Sequence, residues 1–282
     1  MIIFDYNQVA ISNLMEQIGN SKEEVNESLV RHMILNTLRT YVRKYKNTHG
    51  PEVVIACDDK NYWRREVYPF YKAGRKKARD SSGHDWASIF ECLSKVRDEL
   101  REHSPYKVIS VETCEADDII AVLTQKFSAT QPIMILSSDK DFAQLQKFKN
   151  VSQYSPIMKK NIVEENPHSF LKEHIIRGDK GDGIPNIMSN DNVFVEGIRQ
   201  KAIRATDVSV WVNQEPKEFC SDEMYRNYMR NSMLIDLTKI PESIVNSILN
   251  TYDNTTTKNK QHFMNYMISN RLRNLIEVID EF

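Results

Sequence analysis

The sequence predicts an α/β protein, with a mostly parallel central sheet flanked by helices and a helical C-terminal part. Three observations carry this prediction. An apolar strand-like run ends at a carboxylate three times: Met1–Phe4 before Asp5, Glu52–Cys57 before Asp58 and Asp59, and Ile133–Leu136 before Asp139. Helical apolar spacing fills the intervals, as in the helix expected over about Glu24 to Lys46, where Val30, Ile34, Leu38, Tyr41, Val42 and Tyr45 share one face. Beyond Ile198 the spacing is helical throughout. Strand–helix alternation favours parallel pairing, which aligns the strand tips along one edge. Open α/β sheets place their ligands at that edge.

Length and composition set the bounds. The 282 residues suit one large domain, or one domain with a helical annex, and 40% hydrophobic content suffices for a sizeable core. Lys+Arg 38 against Asp+Glu 39 leaves a net charge of −1, so the sum alone points to neither a polyanion nor a membrane. The four cysteines contain no CxxC pair and read as thiols in a reducing, cytoplasmic compartment. No signal peptide or transmembrane run is expected.

The remaining elements follow in chain order. A helix is expected over roughly Asp85–Glu102, a strand over Tyr106–Val111 and a helix over Glu115–Phe127. Val151–Tyr154 and Asn161–Val163 suit a hairpin, and Pro167–Arg177 a short helix. Asp222–Leu234, Pro241–Leu249 and Lys260–Val278 carry helical spacing.

Three stretches carry chemistry. Glu115, Asp117 and Asp118 fall within four residues at a helix start. Acids there complement the helix dipole, but three together repel one another unless a cation lies between them. Between Asn61 and Asp80, Arg64, Arg65, Lys72, Arg75, Lys76, Lys77 and Arg79 alternate with Tyr62, Trp63, Tyr68, Phe70 and Tyr71. Cations with interleaved rings suit a segment that grips or threads a nucleic-acid strand. Four of the eight glycines lie between Gly178 and Gly197, and a glycine-rich turn after a helix lets backbone N–H groups meet a phosphate.

The acids on one edge are Asp5, Asp58, Glu115, Asp117, Asp118, Asp139 and Asp141, joined by Asp179 and Asp182 from the glycine-rich turn. Oxygen donors of this kind suit Mg²⁺, with Mn²⁺ as a substitute, and finger-like His or Cys spacing for zinc is missing. Their number suits two ions, the arrangement that stabilises attacking and leaving oxygens in phosphoryl transfer. Acids beside a basic, aromatic segment point to a nuclease. No Walker-type phosphate loop is present, which argues against a motor ATPase.

Phe4-Asp5, Cys57-Asp58, Tyr62-Trp63-Arg64-Arg65, Glu115-Ala116-Asp117-Asp118, Ser138-Asp139-Lys140-Asp141-Phe142 and Gly178-Asp179-Lys180-Gly181-Asp182 occur in the order and spacing of the 5′-nuclease, or flap endonuclease, family, which the chain resembles over its whole length. The resemblance implies a PIN-like 5′-nuclease fold: a catalytic domain over 1–185 with a basic arch at 61–83, and a helical DNA- or partner-binding domain over 186–282. It implies a helix–three-turn–helix over 175–202 that holds duplex DNA. It implies a 5′→3′ exonuclease that also cuts flaps and removes RNA primers during phage replication, in the cytoplasm of an infected host. By position, Asp5, Asp58, Asp117 and Asp139 surround a first metal, and Asp141, Asp182 and Asp179 a second. Glu115 is expected as a shared or supporting ligand, and Asp118 equally as a salt-bridge residue. Catalysis is expected to draw on Asp5, Asp58, Glu115, Asp117, Asp139, Asp141, Arg64 and Arg65. Nucleic-acid contacts are expected from Tyr62, Arg64, Arg65, Lys72, Arg75, Lys76, Lys77, Lys180, Arg199 and Lys201. Arg199 stands where cellular relatives have a glycine, which speaks against their monovalent-cation site. DNA and RNA–DNA hybrids with a 5′ end or flap are the implied substrates, and viral relatives work with a sliding clamp and a single-strand-binding protein. The alternatives are a PIN-type endoribonuclease without 5′-end preference and a non-catalytic DNA-binding relative.

Overall fold

The computed structural model describes residues 1–20 and 25–282. The first half runs β1 (Ile2–Asp5), α1 (Tyr6–Asn20), α2 (Glu27–His49), β2 (Val53–Ala56), α3 (Arg64–Val67), α4 (Gly74–Asp80), α5 (Trp86–His103), β3 (Lys107–Ile109), α6 (Ala116–Phe127) and β4 (Ile133–Leu136). A 3₁₀ helix (Lys140–Lys147), β5 (Val151–Ser155), β6 (Lys160–Ile162) and α7 (Pro167–Arg177) follow. The rest is helical: α8 (Ala205–Trp211), α9 (Pro216–Phe219), α10 (Asp222–Ile235), α11 (Glu242–Asn254), α12 (Lys260–Ser269) and α13 (Arg273–Ile276). The expected start of α2 at Glu24 lies outside the described residues. Asn26 caps the helix by accepting the Leu29 N–H at 3.0 Å.

The strands form one six-stranded sheet in the order β3-β2-β1-β4-β5-β6. β1 pairs parallel with β2 and β4, and only the edge strand β6 runs antiparallel, closing the expected hairpin with β5. The short central strands, apolar up to Asp5 in β1 and throughout β2 and β4, fit a sheet covered on both faces. Ile2, Phe4, Val53, Ile55, Met134 and Leu136 face a core shared with α1, α2, α5 and α12. Met1, Ile3, Val54, Ala56, Ile133 and Ile135 face the opposite core, with α6 and α11. The alternation follows the two-residue period of a strand.

The C-terminal helices therefore complete the layers begun by the N-terminal half. Ile248 and Tyr252 of α11 enter one core, and Phe263, Tyr266 and Met267 of α12 enter the other. The halves anticipated at 1–185 and 186–282 share both cores.

Two expectations differ from the structure. The helix expected over Lys260–Val278 breaks after Ser269, where Asn270 ends α12 and Arg271 takes a left-handed backbone (φ 57°), a common helix exit. The expected helix–three-turn–helix keeps its first helix, α7, but 178–204 runs as turns and extended chain, and the next helix starts at Ala205.

Candidate active site at the carboxyl edge of the sheet

Strand order reverses around β1, and the acids gather at that point. Asp5 ends β1, Asp58 lies just past β2, Asp139 just past β4, and Asp117 sits in the first turn of α6. Parallel pairing puts these tips side by side, at a topological switch point. Short polar residues hold the carboxylates. Ser137 Oγ donates to Asp5 Oδ2 at 2.8 Å and the Gln8 N–H to Asp5 Oδ1 at 3.2 Å. Asn7 Nδ2 donates to Asp58 Oδ2 at 2.6 Å, and the Ala116 N–H to its Oδ1 at 2.7 Å.

The acids interact strongly. Burial, then the charges of Asp58 and Asp139, push the Asp5 carboxyl up to about 7. Burial and Asp139 lift Asp117 well above the ordinary carboxylate range, and burial raises Asp58. Asp141 is pushed to about 7 by burial and Asp139. Asp139 thus touches both groups electrostatically, one with Asp5 and Asp117 and the other with Asp141.

A buried cation, Lys72, borders the first group. Lys72 Nζ bonds Glu115 Oε1 and lies 3.6 Å from Asp182 Oδ2. Tyr71 OH donates to Glu115 Oε2 at 2.9 Å and lies 3.2 Å from Asp182 Oδ2. Burial alone would raise Glu115, but Lys72 and Arg64 overcome it and hold its carboxyl below the usual value. Lys72 has a left-handed backbone (φ 56°), which costs an L-residue about 1–2 kcal/mol. Its N–H donates to Asp182 O at 2.7 Å, which clamps the basic segment to the glycine-rich turn. Gly183 (φ +72°) serves the same clamp, because a Cβ there would meet Phe70 O at 3.1 Å.

The basic segment is less open than its composition suggests, and two readings are corrected. Arg64, expected to grip phosphate and serve catalysis, is buried. Its Nη1 bonds Glu115 Oε2 at 2.8 Å, its Nη2 pairs with Asp118 Oδ1 at 2.8 Å, and its Nε donates to Leu234 O at 2.9 Å. Each of its three nitrogens is engaged with a protein partner and the group is buried, so it does not face a phosphate. Trp63, Tyr68 and Tyr71, read as stacking rings, are core residues, and Trp63 Nε1 donates to Asp118 Oδ2 at 3.0 Å. Tyr62 is half-buried, its ring edge-on to Tyr71 at 6.3 Å. Asp118 takes its salt-bridge role. Arg65, Lys76 and Lys77 are exposed, while Arg75 pairs with Asp182.

The glycine-rich turn supplies the second group. Gly178 (φ +69°) packs so closely that a Cβ would lie 2.5 Å from Pro185 O. Beyond it, Asp179 Oδ1 accepts the N–H groups of Gly181 (2.7 Å) and Asp182 (3.1 Å). Asp179 Oδ2 accepts Lys140 Nζ at 2.8 Å and lies 3.1 Å from His174 Nε2. Burial would raise Asp179, but His174 and Lys140 hold it well below the usual range. His174, on α7, was not singled out in the sequence, nor were Asn7 and Ser137. His174 Nδ1 lies 3.3 Å from Asp141 Oδ1, and both atoms are buried without a hydrogen-bond partner.

These features fit divalent cations. The acids around Asp5 offer oxygen donors and mutual repulsion, and the Asp141–His174 pair offers orphaned buried atoms. Away from the acids, Lys180, Arg199 and Lys201 line one open cleft with Arg177, Asn186 and Gln200. A second cleft runs between α4 and the glycine-rich turn, lined by Arg75, Lys77 and Lys180.

Comparison with known proteins agrees with this architecture. A family described as the 5′-3′ exonuclease N-terminal resolvase-like domain matches residues 10–174, and one described as the T4 RNase H C-terminal domain matches 168–282. The chain belongs to the 5′-3′ exonuclease family. Within it, the chain is 35% identical over 290 residues to the ribonuclease H of Enterobacteria phage T4, covering 99% of this chain and 95% of that one. It is 29% identical over 187 residues to the flap endonuclease Xni of Shewanella denitrificans, covering 62% of this chain and 69% of the relative. The flap endonuclease of bacteriophage T5, solved as a pseudo-enzyme–product complex with DNA and metal ions, superposes with a TM-score of 0.64 at 15% identity, covering 90% of this chain and 99% of that one. At that identity the likeness establishes the fold. Members of this family are nucleases, that is, phosphodiester hydrolases, and no helix among the described residues is long and apolar enough to cross a membrane.

Proposed function

We propose that this protein is a Mg²⁺-dependent 5′→3′ exonuclease and flap endonuclease that removes RNA primers, with some adjoining DNA, from lagging-strand fragments in an infected cell. The observation that carries this reading is the gathering of Asp5, Asp58, Asp117 and Asp139 at the switch point, with Asp5 and Asp117 lifted by burial and by the acids around them. Buried acids in excess of their cations are what a site keeps when divalent ions complete it. Asp5, Asp58, Asp117 and Asp139 would hold one ion and Asp141 with Asp182 a second. Such ions neutralise phosphate charge and acidify a water at neutral pH.

The protein's own residues do the rest. Asn7, Ser137 and the Ala116 N–H fix which carboxylate oxygens face the ions. Lys72, oriented by Glu115 and Tyr71, supplies a fixed positive charge at the rim where a strand end would enter. Arg65, Arg75, Lys76 and Lys77 offer contacts to the single-stranded side. The cleft of Lys180, Arg199 and Lys201 offers them to the duplex side. The C-terminal helices remain the place to look for contacts with a clamp or a single-strand-binding protein.

The test is product mapping on a 5′-labelled flap and on an RNA-primed duplex, with Mg²⁺, with Mn²⁺ and with chelator. Short 5′ products that need the metal are expected from both substrates. Internal cuts without regard to the 5′ end would instead indicate a PIN-type endoribonuclease. Binding without metal-dependent products would indicate a non-catalytic DNA-binding relative.

A further inference from the structure

His174 is the one imidazole in direct contact with the acids of the site among the described residues, and its two nitrogens face different carboxylates. Nε2 is 3.1 Å from Asp179 Oδ2, and Nδ1 is 3.3 Å from Asp141 Oδ1. The side chain is only 6% exposed and lies under the Phe170 ring. Asp179 already accepts two backbone N–H groups on Oδ1 and Lys140 on Oδ2. With the His174 contact its acceptor sites are filled, so it has little left for a cation.

With Nε2 directed at Asp179 Oδ2, the ring's other nitrogen, Nδ1, is left facing Asp141 Oδ1 in a buried space. Neither atom has a hydrogen-bond partner. Two adjacent donors on one ion, with bonds of about 2.1 Å, stand about 3 Å apart. The observed 3.3 Å suits that arrangement.

We propose that His174 Nδ1 is a ligand of the second divalent ion beside Asp141, and that Asp179 is a positioning residue that fixes the His174 tautomer rather than a ligand. The inference rests on the two-ion reading above and changes its chemistry. Carboxylate–histidine–metal chains recur in metalloproteins because the carboxylate orients the ring and raises its basicity. A nitrogen donor in an oxygen cage makes this ion site favour Mn²⁺ or Co²⁺ over Mg²⁺, while the site around Asp5 keeps the all-oxygen preference for Mg²⁺.

The test uses the full chain, freed of metal and titrated with Mn²⁺ alone, read by electron paramagnetic resonance for stoichiometry and by electron spin echo modulation for nitrogen coupling. The expected result is two bound ions, one of them with an imidazole ¹⁴N coupling. In His174→Gln that coupling disappears, and Mn²⁺ affinity at that site falls about tenfold or more, with a smaller loss for Mg²⁺. Two ions in the wild-type protein without nitrogen coupling overturn the inference and leave the two-ion reading standing. So does tighter binding in His174→Gln, which would mark the ring as a protonated counter-charge. Failure of the wild-type protein to bind Mn²⁺ at all removes both.

Discussion

The buried fork of Arg64 makes a sharp prediction, because composition and structure assign it opposite roles. Arg64→Ala removes three donor groups and a guanidinium 4.6 Å from the Trp63 ring. It leaves Glu115 and Asp118, both almost fully buried, without their shared cation. Breaking a buried ion pair from one side costs about 3–5 kcal/mol, because the surviving charge is stranded. Lys72 and Tyr71 still serve Glu115, while Trp63 and the Glu115 N–H still serve Asp118, so the lower half of that range is expected. For a chain of this size, about 3 kcal/mol corresponds to a fall in Tm of roughly 6–10 °C. Urea denaturation measures the loss, with Arg65→Ala as an exposed control expected within about 0.5 kcal/mol of wild type. Duplex binding, measured well below the melting temperature, should change little in Arg64→Ala. Wild-type stability combined with weakened binding would mean that Arg64 grips phosphate after all, and the structural assignment would fail.

Four further outcomes are expected. Asp117→Asn or Asp139→Asn abolishes metal-dependent cleavage but leaves duplex affinity near wild type, since the basic clefts are untouched; retained turnover in both variants would end the assignment of these acids. Asp5 and Asp141 titrate near 7 in the folded state, against about 3.8 unfolded, so the folded form holds their protons more tightly and metal-free stability falls as pH rises from about 4 to 7. The slope is on the order of 1 kcal/mol per pH unit per group, and a chelated sample whose Tm rises over that window contradicts the clustering. Gly178→Ala forces a left-handed backbone, costing about 1–3 kcal/mol, and adds a clash with the Pro185 carbonyl; unchanged urea denaturation would show that the turn relaxes. Replacing Lys180, Arg199 and Lys201 together by Ala lowers the slope of log affinity against log salt on duplex DNA by about 3, and an unchanged slope removes that cleft from the interface.

The sheet and its acids were legible because each rests on a local pattern. An apolar run ending in a carboxylate is visible in the residues themselves, and three of them in strand–helix alternation imply a shared edge. Asp117 and Asp118 show where that legibility stops. They are neighbours in a first helical turn, yet the helical rotation sends Asp118 inward to Arg64 and Trp63 while Asp117 stays with the edge acids. The basic segment misled for a related reason. Its charge is plain in the sequence, but which cations point inward depends on α10, whose Leu234 carbonyl meets Arg64 from far along the chain. His174 was hidden because a lone imidazole in an amphipathic helix has no spacing signature, and its partners come from two other segments.

The sharing of both sheet faces by α11 and α12 bears on how the nascent chain matures. Ile2 and Phe4 of β1 belong to the same core as Phe263, Tyr266 and Met267 of α12, so that core joins segments made some 260 residues apart. Until α11 and α12 are made, each core lacks part of its cover, so the two layers close together late rather than as separately finished modules.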